Sequence, residues 1–391
     1  MSIKIYHQNV FERWQIEDTS VQAIITSPPY YSLRKYDIPD VTIGGDKNCN
    51  HNIELNSNTC QICNAWKGQY GLEPTYTQYL SNCMLWIEEA WRVLRDDGCL
   101  FLNIADTYVS AGGASRHRGY GDPKYPNGRN SNFDEPSAYP QPFVKTKSKM
   151  LIPERLMVMM VDAGWIIRNH IVWFKVNGLP ESVADRFSKK WETVIFAVKK
   201  PKYFFNLDAV KEPHKQVSID RLNRAVSNTN KWVNSANGQS PMGLSQPRPN
   251  INTKISKEDA ETFSSPRARI HRDKILGLNT NKNNRRRNIS KGKNPGDIWE
   301  IATQPSSEKH FAMWPEKLVR KMILCSTKED DIVLDPFCGS ATTGKVAIEL
   351  RRNFIGIDLG YADIQERKLS NVYVKPYDIF EIYQKGKETE K

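Results

Sequence analysis

Asp331-Ile332-Val333-Leu334-Asp335-Pro336-Phe337-Cys338-Gly339-Ser340-Ala341-Thr342-Thr343 opens as an apolar, β-rich run and breaks at its second aspartate into a turn of small residues. Helical spacing follows over 344–351. Phe354-Ile-Gly-Ile-Asp358 is then a second β-rich run that again ends on an acid. A small-residue turn between a strand and a helix lets a ligand approach the backbone closely. A carboxylate ending the next strand is placed to accept hydrogen bonds from a ribose diol. The outline is a nucleoside-cofactor site on an α/β sheet. Two other readings compete. Gly339-Ser-Ala-Thr-Thr-Gly344-Lys345 has phosphate-loop spacing, but Val346 stands where a magnesium-holding Ser or Thr is needed. The remaining reading is an ordinary tight strand-to-helix turn. No Gly-x-Gly-x-x-Gly is present here, which weakens a nicotinamide-cofactor site.

The same helix-then-strand grammar recurs upstream. Residues 75–95 have helical spacing, with Tyr79, Leu80, Met84, Ile87, Ala90, Trp91 and Leu94 near one face. Asp96-Asp97-Gly98 is expected to end that helix before a strand at 99–104. A helix over 151–163, strands over 165–175 and 192–198, and a helix over 314–324 follow, while residues 1–30 read as strand, helix, strand. This is the pattern of a doubly wound α/β sheet. Residues 107–149, rich in Gly, Ser, Pro, Asn and Tyr, read as a long loop.

The 391 residues suffice for one large domain with insertions or for two. No run approaches the roughly 18 uncharged apolar residues of a membrane span, and the N-terminus lacks a signal-peptide pattern. Both point to the cytosol. Lys and Arg number 56 against 44 Asp and Glu, a formal charge of +12. Residues 205–295 hold 18 of the bases and seven of the acids, a net of +11, so the excess lies in one quarter of the chain. Such a segment favours a polyanionic partner.

Val21-Gln-Ala-Ile-Ile-Thr26 is a further strand, and it stops at Ser27-Pro28-Pro29-Tyr30. Two prolines forbid continuing a helix or a central strand. This loop offers what an exocyclic base amine needs. Its nitrogen lone pair is delocalised into the ring, so two acceptors on its hydrogens are required to draw it out. The Ser27 oxygen and the Pro28 carbonyl are candidates. Tyr30 offers a ring face on which a flipped base can stack. For a Pro-Pro pair alone, a simple polyproline turn is the better reading.

Ser27-Pro-Pro-Tyr30 together with residues 335–343 resembles the amino methyltransferases of DNA, and the order of the two loops resembles their permuted β-class. Four further segments are similar to that family: Glu88 to Gly98, Asn103-Ile-Ala-Asp106, Trp173 to Ser182, and His310-Phe311-Ala-Met-Trp-Pro315. The resemblance covers 1–205 and 296–372. It implies a circularly permuted, Rossmann-like methyltransferase fold with a mixed seven-stranded sheet, S-adenosylmethionine as cofactor and double-stranded DNA as partner. It also implies a cognate restriction endonuclease and a prokaryotic, nucleoid-associated cytosolic location.

Carried over by residue, Ser27, Pro28, Pro29 and Tyr30 would hold the base and its amine. Asp335, Phe337, Cys338, Gly339, Ser340 and Thr342 would line the cofactor. Asp358 would take its ribose, Phe311 would lie near it, and Asn177 and Pro180 would sit beside the target base. Cys338 has a packing role, since the chain has no Pro-Cys pair of the cytosine-C5 type. Ser at the head of the loop resembles N4-cytosine enzymes; N6-adenine is the alternative, and a non-catalytic DNA-binding protein with a relic cofactor fold is a third. The family usually has Gly where Ala341 stands, and alanine fits that turn at negative φ.

Domain expectations follow. Residues 1–204 form a catalytic half, carrying an insertion at 44–68, and 296–378 form a cofactor half. A target-recognition region at 205–295 uses Arg267, Arg269, Arg285, Arg286 and Arg287 on DNA, and 379–391 is a charged tail. The insertion carries Cys49, His51, Cys60 and Cys63, a zinc-knuckle-like spacing that points to structural zinc.

Overall fold

The computed structural model describes residues 2–36, 38–46, 48–54, 58–109, 143–178, 180–214, 292–304, 314–370 and 372. Phe311, the five arginines named for DNA, most of the 107–149 loop and the 379–391 tail lie outside these residues. Contacts divide the chain into one unit of Met1–Ala209 with Gly296–Lys391 and a second of Val210–Pro295. In the second unit, Glu212 and Lys293 form an antiparallel bridge.

In the first unit one sheet runs in the order β1 (Ile3–Tyr6), β10 (Asn353–Ile357), β9 (Ile332–Asp335), β2 (Val21–Thr26), β5 (Leu94–Ile104), β7 (Trp191–Val198), β6 (Ile166–Phe174) and β8 (Ile298–Glu300). All neighbours pair parallel except β7, which runs against β5 and β6. The sheet is mixed, as expected, but β8 adds an eighth strand to the seven. Three residues are too short a run to announce themselves by alternation. β2 lies between β9 and β5, and all six of its residues are buried, which explains its unbroken apolar run.

Five helices are described: α1 (Tyr76–Val93), α2 (Ile152–Asp162), α3 (Glu316–Ser326), α4 (Thr342–Glu349) and α5 (Ala362–Ser370). α1 packs on α2, and α4 packs on both α3 and α5. Thr75 caps α1 by accepting from Gln78 N at 3.2 Å, and Tyr79, Leu80, Cys83, Trp86, Ile87 and Ala90 bury one stripe. Two local expectations are corrected. Residues 7–20 form turns, not a helix. Arg92 takes the carbonyls of Trp14 and Ile16 at 3.0 and 2.8 Å, so these acceptors are drawn into a long-range contact. The 96–98 segment does not separate helix from strand either. β5 already begins at Leu94 and absorbs it through a register shift against β2.

A separate two-stranded sheet, β3 (Val41–Ile43) with β4 (Trp66–Gly68), carries the cysteine insertion on its connection. Among the described residues no helix is long and apolar enough to cross a membrane.

Candidate active site

Because β1, β10, β9, β2 and β5 are parallel, the segments following them leave the same edge of the sheet. The antiparallel β7 starts at that edge, and β6 and β8 end there. A cleft of about 720 Å³ opens along it, within the usual size of a small-molecule site. Gln8 follows β1, Asp358 follows β10, residues 336–340 follow β9, and residues 27–30 follow β2. Asn103 comes from β5, Glu192 from the start of β7, Trp173 and Lys175 from the end of β6, and Thr303 from beyond β8. The proline loop and the small-residue loop therefore meet in one cavity.

A buried staple joins them. Thr26 Oγ1, the last side chain of β2, donates to Asp335 Oδ1 at 2.7 Å, and Thr343 Oγ1 donates to Oδ2 at 2.6 Å. Phe337 N adds a third bond at 3.1 Å. Burial still pushes the Asp335 carboxyl up to about 6, against the lowering effect of these donors. Asp335 does not line the cleft. Neighbouring hydroxyls hold its carboxylate inside, and it shapes the loop from behind.

In the proline loop, the Tyr79 hydroxyl donates to the Pro29 carbonyl at 2.8 Å, while the Pro28 carbonyl accepts nothing among the described residues. Ser27 Oγ donates to the Tyr30 hydroxyl at 3.3 Å. That hydroxyl lies 2.9 Å from both Asn103 Oδ1 and Glu192 Oε2. Burial first, and Glu192 second, hold the Tyr30 hydroxyl well above its ordinary pKa, so it stays protonated and donates. Asn103 is fixed in turn by donating to Thr193 O at 2.9 Å, and Glu192 pairs with Lys175.

The small-residue loop is held by a backbone turn of its own and by groups that bond its main chain, among them Gln365 Nε2, which donates to the Gly339 carbonyl at 2.8 Å. Ala341 N bonds to Cys338 O at 2.7 Å, Gly339 has φ +47°, and Gly339 N donates to Asp358 Oδ2 at 2.7 Å. Gly360 N donates to Asp358 Oδ1 at 3.0 Å, and burial raises this carboxyl. Phe337 stacks on Tyr70 at 5.5 Å and meets Trp86 edge-on at 5.2 Å. Ala341 has φ +58°, so the negative φ at which alanine fits this turn is not the one it adopts: it sits in the left-handed region at the N-cap of α4. The phosphate-loop reading finds no support in the geometry. Lys345 Nζ lies outside the cleft, bonded to Glu316 at 2.6 Å.

Of the expected site residues, Ser27, Pro28, Pro29, Tyr30, Phe337, Cys338, Gly339, Ser340, Thr342 and Asp358 line the cleft. Asn177 does not. Its side chain holds Thr303, accepting from Thr303 N at 2.8 Å and donating to its carbonyl at 3.1 Å. Pro180 is exposed and also outside the lining. Glu192, Lys175, Gln8, Tyr36 and Gln69 line the cleft but were missed by the sequence reading. Glu192 alone left a trace, as a charge heading an otherwise apolar strand.

The cysteine insertion also closes. One donor atom from each of Cys49, His51, Cys60 and Cys63 lies within 4.8 Å of the others. Cys49 Sγ and Cys60 Sγ are 3.8 Å apart, and Cys63 Sγ is 3.3 Å from His51 Nδ1.

The model of a DNA methylase family that groups N6 and N4 enzymes matches residues 21–366. The chain is 28% identical to the Type II methyltransferase M.SfiI of Streptomyces fimbriatus, over 88% of this chain and 85% of that one. It is 30% identical to the Type II methyltransferase M.Cfr9I of Citrobacter freundii, over 90% and 81%. Among solved structures it resembles the cytosine-N4-specific PvuII DNA methyltransferase in fold, with a TM-score of 0.52 at 15% identity, covering 98% of this chain and 92% of that one.

Proposed function

The chain belongs to the DNA methylase family, and from that premise we propose that it transfers a methyl group from S-adenosylmethionine to the exocyclic N4 of a cytosine flipped out of double-stranded DNA. The observation that carries this reading is the shared cleft, with residues 27–30 and 336–340 on its lining and the Thr26–Asp335 bond between them.

The lining fits the cofactor. Asp358 keeps acceptor capacity beyond its two backbone bonds, as a ribose diol requires, and the buried Gln8 Nε2 has no hydrogen-bond partner among the described residues. The left-handed turn at Gly339 allows close approach to the backbone. When bound, S-adenosylmethionine supplies a methyl carbon activated by positive sulfur.

The chain's own part is to prepare the amine. The Tyr30 proton goes to Glu192 or Asn103, so the Tyr30 oxygen accepts from Ser27. Ser27 has then spent its only proton, and its lone pairs are left for an amine hydrogen. The Pro28 carbonyl accepts the second. Both bonds draw the nitrogen lone pair out of the ring, while the Tyr30 face holds the base. With the cofactor bound, the amine prepared in this way would take up the activated methyl group, and the proton it gives up would pass to solvent. No covalent enzyme–base adduct is needed.

Cytosine is favoured over adenine because Ser27 heads the loop. The basic region at 205–295 is assigned to target recognition, with the arginines at 267, 269 and 285–287 on DNA and a restriction endonuclease as companion activity. One structural zinc ion is assigned to the knot. Zinc–thiolate bonds of about 2.3 Å put two sulfurs about 3.8 Å apart in a tetrahedron, which matches Cys49 and Cys60. Four protein ligands leave no open position for catalysis.

Methylation of a duplex library, followed by mass spectrometry of the nucleosides, tests the reading. N4-methylcytosine is expected. N6-methyladenine would overturn the base choice, and cofactor binding without any methylated nucleoside would overturn the activity.

A further inference from the structure

The knot of Cys49, His51, Cys60 and Cys63 lines no part of the cleft, yet both strands that carry it run into the cleft wall. Resting on the zinc assignment above, we propose that this centre is a clamp that shapes the cofactor wall, so that metal at the knot sets affinity for the nucleoside cofactor without touching it.

The β3–β4 ribbon pairs only Val41 with Gly68, Thr42 with Lys67 and Ile43 with Trp66. A ribbon so short is not stable by itself. At one end the connection between its strands carries the knot. At the other end the strands meet the cleft, through Ile38, Pro39 and Val41 on one side and Gln69 and Tyr70 on the other.

The buried Gln69 side chain ties these two sides together. Its Nε2 donates to the carbonyls of Tyr36 and Ile38 at 3.0 and 2.7 Å, and its Oε1 accepts from Tyr36 N at 3.0 Å. Tyr70 stacks on Phe337 of the small-residue loop. Gly71 O accepts from Ser32 N at 2.7 Å, just past the proline loop. The wall therefore touches both loops that the reaction needs.

The knot itself is tightly built. Gly45 has φ +75°, and a Cβ there would lie 2.7 Å from Cys63 Sγ and 2.6 Å from the Ala65 Cβ. Beyond these contacts, the described part of the connection carries two isolated bridges, Ile53 with Cys60 and Thr59 with Trp66, turn hydrogen bonds, and side-chain bonds from Asn52 Nδ2 to Gln61 Oε1 at 3.4 Å and from Asn48 N to Asp46 Oδ1 at 2.9 Å. Four metal bonds would be the strongest constraint on the ribbon's far end, and the Gln69 bonds pass its geometry to the wall.

The full-length protein is assayed for zinc, then titrated with S-adenosylhomocysteine before metal removal, after it, and after zinc is restored. Hydrogen exchange is followed in all three states. One zinc per chain is expected. Removal should weaken S-adenosylhomocysteine binding roughly ten-fold or more, because small displacements of positioning groups cost that much, and zinc should restore it. Exchange should rise at 36–41 and 69–71 while the main sheet stays protected. Cys63→Ser should reproduce the metal-free state.

Unchanged affinity and exchange in metal-free protein would overturn the clamp, as would protein isolated without zinc or loss of protection across the whole main sheet. If the zinc-loaded protein does not bind S-adenosylhomocysteine at all, the methyltransferase reading fails. The exchange at 36–41 and 69–71 then still decides whether the knot shapes the wall.

Discussion

The proline loop at 27–30 and the small-residue loop at 335–341 leave adjacent parallel strands, yet they keep their shapes by different means. The first is stiffened by Pro28 and Pro29 and pinned from outside, by Tyr79 on the Pro29 carbonyl and by Asn103 and Glu192 on the Tyr30 hydroxyl. The second is wound into a backbone turn from Ala341 N to Cys338 O and is pinned through its main chain, by Asp335 on Phe337 N, Asp358 on Gly339 N and Gln365 on the Gly339 carbonyl, with Thr26 and Thr343 holding Asp335. A loop held by remote side chains can aim acceptors at a substrate. A tight turn of small residues pinned through its main chain can give a cofactor close approach to the backbone. On the proposed reading, the division of labour follows from how each loop is braced.

If this contrast holds, damage to Asp335 should spread while damage to Tyr30 should stay local. Asp335→Ala leaves two hydroxyls and the Phe337 N–H without their acceptor, at about 1–3 kcal/mol each if they stay buried and unsatisfied. A loss of roughly 3–5 kcal/mol in urea unfolding is expected, together with weaker cofactor binding. An unchanged midpoint would mean the carboxylate is no staple.

Asp335→Asn probes the same group through pH. Its carboxyl sits at about 6 in the folded protein, against about 3.9 unfolded, so the folded state binds the proton more tightly. Relative to this variant, the parent protein should gain up to roughly 2–3 kcal/mol of stability as pH falls from about 6 to about 4. The same difference at both pH values would show that Asp335 does not titrate in this range.

Tyr30→Ala removes the stacking face, worth about 1–3 kcal/mol per base. Turnover on duplex DNA should fall about ten- to a hundred-fold, with S-adenosylhomocysteine affinity within about two-fold of the parent. An equal loss in both would mean the two loops act as one unit. Tyr30→Phe keeps the ring but takes away the acceptor for the Ser27 proton, and a smaller loss confined to kcat is expected.

The smallest effect belongs to Ala341→Gly. Relief of a left-handed alanine is worth about 1–2 kcal/mol, and loss of a fully buried methyl offsets about 0.8 kcal/mol of it. A net gain of about 1 kcal/mol or less is expected by thermal unfolding. A large destabilisation would mean that packing against Ile348 and Leu369 outweighs the backbone term.

Both loops, the core strands, most helices and the Cys49, His51, Cys60 and Cys63 set were legible in the sequence alone. Each rests on short-range physics: apolar periodicity, proline's missing N–H, the room around glycine, the spacing of ligands along the chain. What only the tertiary structure decided depends on partners far away in sequence. Arg92 takes the carbonyls that a helix at 7–20 would need, and Thr26 turns Asp335 inward from 309 residues away. Glu192 reaches the cleft because β7 runs antiparallel and brings its start to the edge where the other strands end, and Lys175 meets it there because β6, paired against β7, ends at that edge. Local pattern names the groups available for bonding; only packing decides which of them meet.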